Sequence, residues 1–175
     1  VNETVEDTKN TALTIMYYGD ADNNLEPYLL QDVAEMKVGY SASAGYNLVT
    51  LFDGISGSTT GFGEAFADTR LYRIGENKSY RLNGGSQFPN ITTTSTNYEA
   101  NMGDAETLKK FIQYCKSNYP ANKYVLIMSN HGGGTRSVKS TSSSTGDVKA
   151  ICWDDTNGED CLYTGEITDV LTSAE

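Results

Sequence analysis

The chain has 175 residues, 38% hydrophobic and 21% charged, enough for one ordinary domain or about half of a large one. It has 17 Gly and only 3 Pro, a balance that suits many turns rather than a disordered linker, and no stretch is long and apolar enough for a transmembrane helix. Lys+Arg 13 against Asp+Glu 23 gives a net charge of −10, which excludes the dense basic face a nucleic-acid backbone requires and mildly favours basic ligands.

Residues 1–10 are polar and acidic and read as a flexible arm. Thr11 to Gly19 (TALTIMYYG) is a continuous apolar run, as expected of a strand buried on both faces. Asp20-Ala21-Asp22-Asn23-Asn24 follows as a cluster of turn and N-cap residues, after which Leu25, Leu29, Val33 and Met36 recur at helical spacing up to Gly39. Asn47 to Gly54 is a second buried-strand run, and residues 55–61 read as a loop. Rough alternation over Glu64–Ala67 and Arg70–Ile74 predicts a half-exposed hairpin, with residues 76–97 as loop.

Asp104 is placed to cap a helix whose apolar face is Leu108, Phe111, Ile112, Cys115 and Tyr119, closed near Pro120. Lys123 to Ser129 is the clearest buried strand and runs into Asn130-His131-Gly132-Gly133-Gly134. Residues 135–149, rich in Ser, Thr, Gly and Lys, read as an exposed, protease-accessible loop. Ala150–Trp153 resumes a strand, residues 154–160 read as an acidic turn, and Thr164 is placed to cap a helix containing Ile167, Val170 and Leu171. Buried strands alternating with amphipathic helices predict a mostly parallel α/β sheet. Ligands in such sheets sit beyond the carboxyl ends of the strands, where Asp20–Asn24, Asp53-Gly54 and His131-Gly132 all fall.

His131 is the one histidine of the chain, and glycines follow it. An imidazole can serve as general base to a thiol or hydroxyl, and glycine N–H groups can stabilise an oxyanion. A His-Gly-Gly-Gly string also lines the oxyanion hole of some serine esterases, but the required G-x-S-x-G is absent from these residues. A phosphate-binding G-x-x-x-x-G-K-[ST] is likewise absent. Cys115 and Cys152 read as core residues. Cys161 follows an acidic turn that disfavours a thiolate, and Cys152 and Cys161 are close enough in sequence to pair. Asp154, Asp155, Asn157 and Asp160 could surround a hard cation, but a hydrophilic turn is the simpler account, and no residue is assigned as a metal ligand.

Four segments, YYGDADNNLE (17–26), NMGDAETLKKFI (101–112), YVLIMSNHGGG (124–134) and ICWDDTNGEDCLYTGEI (151–167), resemble the clostripain family of cysteine peptidases, related to caspases, legumain and gingipains. The resemblance covers nearly all of residues 11–175. It implies a caspase-like three-layer α/β/α sandwich, only part of which is in this chain, and a His–Cys dyad. His131 matches the catalytic histidine, and the Gly132 N–H would be an oxyanion donor.

The family's nucleophile lies in an Asp-Ala-Cys motif after the next buried strand, and that motif does not occur in residues 1–175. The resemblance therefore implies the N-terminal portion of a catalytic domain. This portion is expected to be inactive alone and to need the remaining C-terminal part as partner. Substrates would be peptides or proteins with a basic P1 residue. Self-cleavage after a basic residue implies a processing site in the 135–149 loop, assigned here to Lys149–Ala150. Asp20, Asp22 and Asn23 are expected along the substrate-binding edge. No cofactor is required, calcium is left open, and a secreted, periplasmic or cell-surface location is expected. The alternatives are a non-catalytic peptide-binding module of the same fold and, behind it, a serine esterase of the His-Gly-Gly-Gly type, which a G-x-S-x-G outside these residues would revive.

Overall fold

The computed structural model describes residues 11–55, 58, 60–132 and 150–174. The expected N-terminal arm and the expected loop 135–149, with Lys149, lie outside the described residues. Strand β1, Thr11–Ala21, is the centre of the sheet. It pairs in parallel with β2, Tyr46–Gly54, on one side and with β5, Ala121–Ser129, on the other. Beyond β2 come β3, Thr69–Gly75, and β4, Lys78–Arg81, each antiparallel to its neighbour. The order is β4-β3-β2-β1-β5, and only β3 runs against the other four strands. A separate antiparallel pair is formed by β6, Ala150–Asp154, and β7, Asp160–Tyr163.

Period-two alternation along these strands feeds two cores. Met16 and Tyr18 of β1, Val49 and Leu51 of β2 and Leu71 of β3 face one side of the sheet. Helix α2, Ala105–Asn118, covers that side with Leu108, Phe111, Ile112 and Cys115, and α3, Thr164–Ser173, adds Val170. Tyr17, Leu48, Phe52, Tyr72 and Ile74 face the other side, where α1, Glu26–Gly39, contributes Leu29, Leu30 and Val33. The result is the expected α/β/α layering. Each fully buried side chain of this size stabilises by about 1.5–3 kcal/mol relative to an exposed one.

The helix starts follow local chemistry. Asp104 accepts a hydrogen bond from the Glu106 N–H at 2.8 Å, as its N-cap position predicts. At α1, Asn23 Oδ1 accepts from the Leu25 N–H at 2.8 Å just before Pro27 in the first turn. At α3 the cap is Tyr163 rather than Thr164, and the Tyr163 N–H donates to Glu166 Oε2 at 2.9 Å.

Three other expectations are corrected. The hairpin is β3–β4, with its turn at Glu76-Asn77, so part of the expected 76–97 loop is strand. Residues 64–67 instead form irregular chain, whose Phe66 packs against Phe52 and Tyr72. Strand β5 is not buried on both faces: Tyr124, Leu126 and Met128 pack on the α2 side, while Val125 and Ile127 are 44% and 40% exposed on the other. Among the described residues, β5 has a strand on one edge only. Finally, the expected acidic turn 154–160 is shorter, because Asp154 closes β6 and Asp160 opens β7.

Gly103 shows how tightly the connection before α2 meets β7. A Cβ there would lie 2.6 Å from both the Asp160 carbonyl oxygen and the Cys161 nitrogen, so backbone would have to move. Gly103→Ala is expected to destabilise the protein by about 1–3 kcal/mol, read as a lower urea midpoint. An unchanged midpoint would mean that this contact does not exist.

Candidate functional site

Parallel pairing brings the carboxyl ends of β1, β2 and β5 to one edge. Asp20 lies opposite Asp53, Ala21 opposite Gly54, and Gly19 opposite Ser129. Because β3 runs the other way, it begins at this edge, with Thr69 opposite Asp53. His131 follows β5 by two residues and is exposed.

The histidine is held from both sides. Its Nε2 lies 2.7 Å from Asn24 Oδ1. Its backbone N–H donates to the side-chain oxygen of Asn130. The Asn130 amide in turn donates to Asp20 Oδ2 and, at 2.9 Å, to the Trp153 carbonyl. Gly132 forms an isolated antiparallel bridge with Ile151, and among the described residues a Cβ at Gly132 would meet nothing within 4 Å. Among the described residues, packing therefore does not demand glycine at position 132.

Asp20, Asp22 and Asn23 do lie at this edge, all buried, but the side chain on the imidazole is that of Asn24. Asp20 reaches the histidine only through Asn130. Asp22 Oδ2 accepts from the Thr156 N–H at 2.8 Å and so ties β1 to the β6–β7 turn. Asn23 Oδ1 accepts from the Leu25 N–H just before α1. Ala150 opens β6.

Beneath the edge, carboxylate oxygens of Asp22, Asp53 and Asp154 converge within 4.8 Å of one another, all three residues buried. Asp154 is well supplied with donors: the Met102 N–H at 2.7 Å and the Asn157 N–H at 2.9 Å. Asp20 Oδ1, Asp22 Oδ1 and Asp53 Oδ2 have no hydrogen-bond partner among the described residues. None of the ion pairs among the described residues involves these carboxylates. Burial first, then neighbouring charge, pushes the Asp20 carboxyl up to about 8. The same causes raise Asp22, Asp53 and Glu99 above the ordinary carboxylate range.

This cluster departs from the sequence expectation. Of the four turn residues considered there, Asp154 alone is buried, whereas Asp155, Asn157 and Asp160 are exposed. The carboxylates that meet Asp154 come from just past the end of β1 and from β2, far away in sequence, and periodicity carries no signal for that. The register pairing of Asp20 with Asp53 at two strand ends was the only available hint.

The three cysteines are free and buried, so the Cys152–Cys161 pairing is not formed. Burial pushes all three thiols up, and Asp160 and Glu166 add to the effect at Cys161. Cys152 sits at a bulge in β6, with φ +61°.

Fold and edge together define an α/β domain with a histidine presented at the carboxyl end of its sheet. The profile of the clostripain family matches residues 17–175, and the chain belongs to that family. It is 57% identical to clostripain of Hathewaya histolytica over 175 residues, covering 95% of this chain and 32% of that protein, so it spans about a third of that relative's length. Among solved structures, a secreted C11 cysteine protease from Bacteroides thetaiotaomicron in complex with an irreversible peptide inhibitor superposes with TM-score 0.63 and 19% identity. That match covers 94% of this chain and 40% of the other. A B. fragilis cysteine protease superposes with TM-score 0.52 and 25% identity, covering 75% of this chain and 98% of the other.

The buried carboxyls set a pH dependence. Asp20 binds its proton up to about pH 8 in the folded protein, whereas an unfolded carboxyl releases it near pH 4. Between those values the folded state holds the extra proton, so stability falls as pH rises. With divalent cations chelated, the urea midpoint is expected to drop between about pH 5 and pH 8, and Asp20→Asn is expected to flatten the slope.

Proposed function

We propose that this chain is the histidine-bearing part of a cysteine endopeptidase that cuts after Arg or Lys. Family membership supports the reaction class. The observation that carries the residue assignment is His131, fastened at the carboxyl edge beside a glycine. The nucleophile is a cysteine outside residues 1–175, since the three thiols here are buried and their pKa values raised.

His131 takes the proton of that thiol, and the thiolate attacks the scissile carbonyl carbon. The Gly132 N–H donates to the oxyanion as the tetrahedral intermediate forms. The imidazolium returns the proton to the leaving amine as the C–N bond breaks. Water, deprotonated by the same imidazole, then releases the acyl group and restores the thiol. The acidic balance of the chain, −10, favours approach of basic peptides. The remainder of the catalytic domain covers the exposed β5 residues Val125 and Ile127.

Processing is assigned to Lys149–Ala150. Ala150 opens β6, and the next residue, Ile151, bridges Gly132. A cut there frees a chain end beside the site. Export from the cell fits the secreted C11 protease among the similar structures, and no helix among the described residues is long and apolar enough to cross a membrane.

Calcium fits the cluster beneath the edge. Asp22, Asp53 and Asp154 offer hard oxygen donors, two of these residues have orphaned oxygens, and all three are buried without an ion-pair partner among the described residues. The cation would compensate the buried charge and join the ends of β1 and β2 to the β6–β7 turn.

In the full-length protein, peptides with Arg or Lys at P1 are expected to be cut, and those with Asp or Asn are not. His131→Ala is expected to lower kcat/KM by about 10^3-fold or more, and a thiol alkylator to abolish activity. Folded wild type that cuts none of these peptides would favour the peptide-binding module. Calcium is expected to raise Tm, with Asp53→Asn erasing the shift. A wild-type Tm indifferent to calcium would remove the metal from the proposal.

A further inference from the structure

We infer that Asn24 is the positioning residue that fixes the tautomer and aim of His131; the catalytic meaning of this rests on the peptidase reading above. The contact is the 2.7 Å approach of Asn24 Oδ1 to His131 Nε2. An amide oxygen can only accept, so Nε2 carries the proton. The lone pair is then on Nδ1, which becomes the nitrogen that takes the thiol proton. The side chain does this without charge. A carboxylate in its place would stabilise the imidazolium and keep the base protonated to higher pH.

Both partners hang from one frame. On one side, Asn23 is buried. Its N–H donates to the Ala21 carbonyl at 2.8 Å, its amide reaches the Asp20 and Trp153 carbonyls at 3.4 Å each, and its Oδ1 accepts from the Leu25 N–H just before α1. Asn24 is thus set between the end of β1 and the start of α1. On the other side, Asn130 holds the His131 N–H while donating to Asp20 Oδ2 and the Trp153 carbonyl. Asp20 and Trp153 are common to both sides, so Asn24 and His131 are placed from one shared frame. Asn24 itself is exposed, so replacing it leaves the core intact.

The test uses the full-length protein. Asn24→Ala is expected to lower kcat roughly 10- to 100-fold with KM near wild type, because aim is lost and substrate binding is not. Asn24→Asp is expected to move the acid limb of the kcat/KM profile up by about one pH unit. Imidazole nitrogen resonances, with His131 assigned by their absence in His131→Gln, are expected to report the Nε2–H tautomer in wild type and a mixture in Asn24→Ala. Unchanged kcat, pH profile and tautomer in both variants would overturn the inference, as would an Nδ1–H tautomer in wild type. If folded wild type cuts no peptide, the peptidase reading falls and with it the catalytic meaning of Asn24. The tautomer measurement still decides whether Asn24 governs His131.

Discussion

From Met16 to Asn23 every residue is buried, and through Ala21 that run is strand β1, paired in parallel on one edge with β2 and over most of its length on the other with β5. A strand enclosed on both faces and both edges has no freedom of register, because a one-residue slip would exchange the two cores and orphan its hydrogen bonds. Everything at the site is measured from the end of this strand. Asp20 receives Asn130, Asp22 receives the β6–β7 turn, Asn23 starts α1, and Asn24 reaches the imidazole.

The same enclosure creates the electrostatic tension beneath the edge. Parallel strands end side by side, so acidic residues placed at their ends are brought together out of water. Asp20 and Asp53 face each other in register, and Asp154 arrives from β6. Backbone N–H groups of Met102, Thr156 and Asn157 answer part of the charge. They leave oxygens of Asp20, Asp22 and Asp53 without partners among the described residues. A buried carboxylate lacking a partner either keeps its proton or takes a cation. The raised carboxyls of the edge therefore favour keeping their protons, and the calcium proposed above would take the place of those protons beside the β6–β7 turn.

Particular residues show where reading the sequence stopped. The helix at 105–118 was legible because Leu108, Phe111, Ile112 and Cys115 share one face and Asp104 caps it. The hairpin was misplaced because Glu64–Ala67 alternates like a strand, yet its Phe66 is drawn into an aromatic cluster with Phe52, Phe62 and Tyr72. Lys78–Arg81 is polar in sequence and forms a strand only because β3 supplies its hydrogen bonds. β5 is apolar in both parities, but one of its faces is left open among the described residues.

Composition, periodicity and turn chemistry were enough to establish an α/β domain, a sheet edge bearing His131, and a resemblance to one peptidase family, because these depend on local residue order. Which asparagine meets the histidine, and which carboxylates meet one another, depend on register between strands far apart in the chain. Asn24 and His131 are 107 residues apart, and Met102 and Asp154 are 52 apart. No local pattern encodes such pairings. They follow from burying the carboxyl-terminal half of β1, from Met16 on, which leaves one way for the strand ends to line up.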